Sequence, residues 1–378
     1  DLGNSGDAVL NLPLIPGQLA VRGNVGYEKV PGYIDYNWVL TPDVAGSVDP
    51  EDPDAVTQFR DANDADSVFA RAGLLWQPSD DLDINLTYFY QKVESGGRSA
   101  DTNVALGLGE YVYGRRFLEP KERENHITSL EINWDLGFAN FTSATGYTEY
   151  DDMEQRDQTD LLLDIGYGYE TFPFFAAFTM DAVQEKSFTQ EFRLVSNSDG
   201  PWNWIAGAFY RDFDNENISE EFTPGYPESP EYVLNVVDFG GIPVDQLTDG
   251  DLEYRSITDQ TIEEIAVYGE IGYNLTQDWQ ITLGARWFEY EDDTQNSTRF
   301  PFFDATQPPF PQTAPIDEDD VIFKVNTSYD YENFAGSDGT FYLTVSEGYR
   351  NGRSNGLELC DGSPGQNVCG QPDELQVN

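Results

Sequence analysis

From residue 261 to 293 the chain alternates between two kinds of residue. Ile265, Val267, Gly269, Ile271, Tyr273 and Leu275 fall on one face, and Ala266, Tyr268, Glu270, Gly272 and Asn274 fall on the other. This period of two is that of a strand. After Thr276, Gln277 and Asp278 the chain returns with Ile281, Leu283, Ala285 and Trp287 opposite Gln280, Thr282, Gly284 and Arg286. A hairpin that is apolar on one side only is predicted, with Arg286 and Thr282 turned away from the apolar side. Its arms are each about ten to thirteen residues long, matching the roughly 9–11 a tilted strand needs to cross a bilayer. Trp279 and Trp287 then mark two levels about 19 Å apart in height. Two aromatic levels bracketing an apolar band describe a membrane barrel.

The same pattern recurs along the chain. Residues 7–15 and 18–30 predict a hairpin around Pro16 and Gly17, and 67–78 with 82–93 predict a second around Ser79 to Asp81. A third spans 126–150 with its turn at Asp135 to Phe138, and a fourth 184–214 with its turn at 197–201. The hairpin at 261–293 is the fifth, and 320–349 the sixth. In the fourth, Glu191 and Arg193 are predicted on the polar face, while the return strand 202–210 is apolar on both sides and is left unoriented. Between hairpins lie segments of roughly 30 to 45 residues, far beyond the 12–15 that loops in compact soluble domains rarely exceed. Short and long connections therefore alternate, as in outer-membrane barrels. Trp76, Trp134, Trp202, Trp204 and Trp279, five of the seven tryptophans, stand beside short turns. They are predicted to form one aromatic girdle.

Composition narrows the function. Hydrophobic residues make up 39% and mean hydropathy is -0.52, and no run approaches the roughly 18 apolar residues of a membrane helix. A barrel passes this test because half of its residues face a wet lumen. The 20 Lys+Arg against 69 Asp+Glu give a net charge of -49, which argues against nucleic acid, whose phosphates need the opposite sign. An aromatic content of 14% argues against disorder, so the charge is read as an acidic outer face. Cys360 and Cys369, in a Gly- and Pro-rich segment, read as a local disulfide across one outer loop, with two free thiols as the alternative.

Several runs resemble one family. Gln190, Glu191, Phe192, Arg193, Leu194, Val195 and Ser196, followed by Trp204 to Tyr210, are similar to the mid-barrel of TonB-dependent outer-membrane receptors. So are Tyr268, Gly269 and Glu270 with Leu283 to Arg286, and the run from Val345 to Gly352. The resemblance is to the iron-complex (siderophore) branch and covers essentially the whole chain. It implies an all-β transmembrane antiparallel barrel of 22 strands, closed by an N-terminal plug. About twelve strands are legible here by their alternation, with no plug-like segment or TonB box. Residues 1–378 therefore read as one interior barrel fragment, lacking the plug and the C-terminal strands.

The function implied is active import of a scarce ligand, a ferric siderophore before cobalamin or an oligosaccharide. TonB and its inner-membrane complex would supply the energy, and lipid and lipopolysaccharide would surround the barrel. The location implied is the bacterial outer membrane, with no cofactor, no bound metal and no catalysis. A passive porin and an outer-membrane hydrolase are the readings from other classes.

Candidate contacts follow from residue type. Arg115, Arg116, Lys121 and Arg123 place four of the 20 basic residues within nine positions. They either attract an anionic chelate at the mouth, as guanidinium suits planar oxygen donors, or pair locally with Glu119, Glu122 and Glu124. Phe-Pro-Phe-Phe occurs at 172–175 and 300–303, so Phe174, Phe175, Phe302 and Phe303 are candidates either for ligand contact or for small cores that hold loops in shape. Acidic runs at Asp49, Glu51, Asp52 and Asp54 and at Asp317 to Asp320 lack the spacing of a calcium loop and read as solvated surface. A hydrolase triad would need His126, the one histidine, which otherwise reads as a rim residue.

Overall fold

The computed structural model describes residues 2–40, 54–101, 109–161, 176–198, 200–225, 250–302, 310–313, 315–334 and 337–350. Its strands are, in chain order, β1 (Asn4–Ile15), β2 (Leu19–Val30), β3 (Asp35–Leu40), β4 (Val56–Phe59), β5 (Ala65–Ser79), β6 (Leu82–Ser95), β7 (Val112–Tyr113) and β8 (Lys121–Asp135). They continue with β9 (Ala139–Asp157), β10 (Phe178–Ser196), β11 (Trp202–Phe222), β12 (Leu252–Asn274), β13 (Trp279–Arg299), β14 (Phe310–Thr313), β15 (Ile316–Phe334) and β16 (Ser337–Ser346). One antiparallel sheet runs β1-β2-β5-β6-β8-β9-β10-β11-β12-β13-β15-β16, with β14 added on β13. All six hairpins are present where the alternation places them. Gly17 (φ 76) and Gly137 (φ 84) make two of the short turns in the left-handed region, which a side chain would strain.

The strands are longer than their apolar bands. β11 and β13 run 21 residues and β12 runs 23, about twice what a bilayer crossing needs. The ladder between β12 and β13 continues from Asn274↔Gln280 to Arg255↔Arg299, past the last apolar pair. Backbone hydrogen bonds need no apolar face, so pairing goes on where the alternation turns polar. The connections shrink accordingly: the stretch expected over 294–319 is reduced to 300–315.

One face of the sheet carries the apolar residues and is uncovered. Val267, Ile271 and Leu283 are 53%, 55% and 57% exposed. Residues directly paired across antiparallel strands share a face, so the register Ile271↔Trp204 and Val267↔Ala208 orients the strand that the sequence left open. Trp202, Trp204, Ala206, Ala208 and Tyr210 lie on this outward face, and Gly207, Phe209 and Arg211 lie on the inward one. Trp76, Trp134, Trp202 and Trp279 are exposed outward at the short-turn ends, paired with Leu19, Leu82, Tyr273 and Tyr329. That is the girdle level predicted for these four; Trp204, expected with them, stands two residues further along β11, opposite Ile271.

A second, smaller sheet occupies the first two long connections. Its order is β4-β3-β7, with β3 and β7 parallel, and Ile34, Tyr36, Val39 and Tyr113 form its core against Ala62, Ala100 and Leu118. This cap is folded structure where the sequence predicted only loop.

Candidate functional site

The basic residues singled out by the sequence lie at the long-connection ends of β8 and β9, beside the cap. Lys121 and Arg123 share the inward face of β8, two residues apart. Directly opposite stand Glu154 and Asp152 of β9. Lys121 Nζ lies 3.1 Å from Asp152 and 2.9 Å from Glu154, and Arg123 lies 3.0 Å from Asp152. Arg156 adds a 2.9 Å contact to Glu154 and a 3.8 Å contact to Asp181. Arg115 sits 2.6 Å from Asp160 with its guanidinium over the Tyr113 ring. The backbone N–H groups of Arg116 and Phe117 donate to Asp157.

Thus Arg115, Lys121 and Arg123 are ion-paired, but with β9 and the segment after it rather than with Glu119, Glu122 or Glu124. The reason is register: in a ladder the cross-strand neighbour is closer than the chain neighbour. A signal for this was available, because Asp152 and Glu154 repeat at the same period of two as Lys121 and Arg123.

Glu119 has a different task. It is 1% exposed, and its carboxylate accepts a 3.0 Å bond from the hydroxyl of Tyr36, itself fully buried, and a 3.1 Å bond from the N–H of Asp157. Tyr36 Oη in turn accepts from the N–H of Arg98. This chain of bonds fastens the cap to the barrel wall. Burial pushes the Glu119 carboxyl above its ordinary range, against the bonds from Asp157 and Tyr36. For Glu154, burial also acts upward, but the bonds from Arg156 and Lys121 outweigh it and hold the group at about 2. Neither Tyr36 nor Glu119 could be picked out from sequence, since nothing local marks a tyrosine and a glutamate 83 positions apart as partners.

Other candidates divide. Phe302 is buried, 1% exposed, while Phe300 is partly exposed against Tyr254, ring centroids 5.3 Å apart. Phe174, Phe175, Phe303, Cys360 and Cys369 lie outside the described residues. His126 engages Tyr88 Oη through Nδ1 (2.8 Å) and Glu124 through Nε2 (3.1 Å), which leaves neither ring nitrogen to serve a nucleophile. Asp317 and Asp319 point outward opposite Glu291 and Glu289, while Glu318 and Asp320 point inward. A strand cannot gather four consecutive carboxylates on one cation. Among the described residues no group of three or more His, Cys, Asp or Glu is placed to hold a metal ion.

The inward face below the rim is mixed. Arg286, predicted inward, lies 2.8 Å from Glu264, and Lys324 lies 2.8 Å from Glu270. Tyr268 donates to Glu191, so the two lumen residues read from the fourth hairpin do face this side. Around them Ile262, Ala266, Phe288 and Tyr290 form an apolar cluster with Phe209, Phe213 and Ile322. The segment after β16 folds over it, with Tyr349 stacked on Phe288 at 4.2 Å.

With this geometry in view, the comparison with solved structures is informative. The chain is similar to the ferric yersiniabactin uptake receptor FyuA from Yersinia pestis, with a TM-score of 0.57 and 12% identity over 86% of this chain and 43% of that one. It is similar to the siderophore receptor PiuA from Acinetobacter baumannii, with a TM-score of 0.55 and 14% identity over 90% and 46%. The open form of the ferric-catecholate import receptor Fiu from E. coli K12 gives 0.53 and 13% over 91% and 52%. The chain thus has the antiparallel β-barrel fold of these receptors and spans about half the length of each. No family model and no curated protein matches the sequence.

Proposed function

We propose that this chain is the barrel wall of an outer-membrane receptor that imports a ferric siderophore, energised by TonB through a plug carried elsewhere in the full protein. The observation that supports this most is the agreement of two independent features. The fold is that of uptake receptors for ferric chelates, and the outward face is a continuous apolar band above a tryptophan girdle, as a lipid contact requires. A polar inward face and an elaborated outer rim fit capture outside and passage within. The strands at the two ends of the sheet, β1 and β16, would each pair with a further strand of the same protein, since an open edge in lipid leaves several backbone groups unsatisfied. In this reading Arg115, Lys121 and Arg123 shape the mouth through their acidic partners, Arg116 joins them through its backbone bond to Asp157, and the aromatic runs at Phe174, Phe175, Phe302 and Phe303 buttress the loops that meet the ligand.

The test is growth of a deletion strain on defined iron sources. Loss of growth and of labelled iron uptake on one chelate, restored by the intact gene, is expected. Equal growth and uptake on every chelate would remove the siderophore reading, and uptake that persists without TonB would favour a passive porin.

A further inference from the structure

On the outward face the apolar band ends at a defined level. Trp287, the tryptophan level farther from the short turns, is paired with Val267 on one side and Val321 on the other, and all three are exposed. One pleat nearer the long connections the same strands present Ile265, Glu289 and Asp319. The next pleat is wholly acidic: Asp212, Glu263, Glu291 and Asp317 stand directly opposite one another in a single row across β11, β12, β13 and β15.

Like charges directly opposite destabilise a ladder, so this row works against the sheet that carries it. A second place on the same face shows how such opposition is relieved. Glu94 of β6 stands opposite Glu122 of β8, and Lys92 Nζ reaches both, at 2.8 Å and 2.9 Å. From β11 to β15 the row contains no lysine or arginine, and its neighbour on β10 is Phe188. Among the described residues none of its four carboxylates is ion-paired. The acidic pairs are the same, and the cation is not supplied by the chain.

We infer that this row meets the outer-leaflet headgroups through divalent cations, which join its carboxylates to anionic lipid phosphates. The row continues the lipid-facing band on the same strands, one pleat beyond its edge, so headgroups are what it faces. Its charge has the sign of those phosphates, and the two surfaces repel unless a cation lies between them. Calcium and magnesium take oxygen ligands, and magnesium is typically held by one or two carboxylates with phosphate oxygens and water completing its shell. Side chains directly opposite, with Cβ atoms about 4.5–5.5 Å apart, can offer two carboxylates to one ion. Among the described residues no three acidic groups converge on one ion, so the remaining ligands come from outside the chain. This bridge rests on the outward face meeting lipid and not on what is imported, so the uptake experiment and this one fail separately.

The test places the full protein in nanodiscs of phosphatidylcholine, with or without lipid A as the anionic lipid. Melting temperature and lipid A retained per protein are read as calcium is added or chelated. In the lipid A discs the wild type is expected to retain more lipid A and to melt higher with calcium, and in phosphatidylcholine alone calcium should change its melting little. Glu263→Gln/Glu291→Gln/Asp317→Asn should lose most of both responses. With calcium chelated it should melt above the wild type, because the opposed charges are gone. Glu318→Gln/Asp320→Asn, neighbours on β15 that face inward, should respond as the wild type does. Responses unchanged in the triple variant, or lost equally in the inward double variant, would overturn the assignment. So would a wild type whose lipid A is indifferent to chelation, or whose calcium response is as large in phosphatidylcholine alone, since the ion would then join no anionic lipid to the protein.

Discussion

The two ends of the inward face use arginine differently. At the long-connection end, Lys121, Arg123 and Arg156 share Asp152 and Glu154 in one network, and the cations hold strands and cap in place. Near the short turns, Arg22 and Arg71 are exposed on the inward face and, among the described residues, have no carboxylate partner. The difference teaches that a cluster of basic residues in sequence is a poor guide to where positive charge is available. Lys121 and Arg123 find partners because Asp152 and Glu154 stand opposite them in the ladder, whereas the residues opposite Arg22 and Arg71 are Gly73, Asn24 and Phe89.

Four expected outcomes would sharpen or break that contrast. The largest concerns the cap. Tyr36→Ala removes a fully buried aromatic ring and the donor to Glu119, which should cost about 3–5 kcal/mol. Hydrogen exchange should then speed up in β3, β4 and β7 and stay slow near the short turns. Equal loss of protection at both ends would mean that rim and wall are one cooperative unit.

Next is the face assignment. Leu283→Arg places a charge on the outward band and should cost about 2–4 kcal/mol at the bilayer midplane, whereas Thr282→Arg faces inward and should change stability far less. Denaturant titrations in vesicles would compare the two, and equal costs would show that the band does not face lipid.

The third outcome is a pH dependence confined to the rim. Glu119 is raised from 4.5 by burial, so its contribution is complete below that value and fades as pH climbs through the raised one. Glu154, held at about 2 by Arg156 and Lys121 against its own burial, contributes fully above 4.5 and loses this as pH falls toward 2. Cap protection, corrected for intrinsic exchange rates, should therefore peak near pH 4.5, the ordinary value of both groups. Glu119→Gln should flatten the decline on the neutral side; an unchanged profile would remove Glu119 from the account.

The smallest lies at the girdle. Trp279 Nε1 donates to Thr327 at 2.8 Å, and Trp279→Phe deletes that bond while keeping an aromatic ring. About 0.5–1.5 kcal/mol should be lost, with rim exchange unaffected. A change at the rim would show coupling along the whole strand.

The alternation of Ile281, Leu283 and Ala285 with Thr282, Gly284 and Arg286 by itself determined the strands, their turns, their faces and the level of the tryptophans. Side-chain direction in a strand depends only on parity, so this information is local and survives without knowledge of any partner. Parity could not orient residues 202–210, where both faces are apolar; pairing with β12 did. Nor could it show that β3 lies parallel to β7, that Tyr36 reaches Glu119, or that Lys121 meets Glu154 rather than Glu122. These are matters of register between strands, and register is fixed by the assembled sheet and its packing rather than by any one segment.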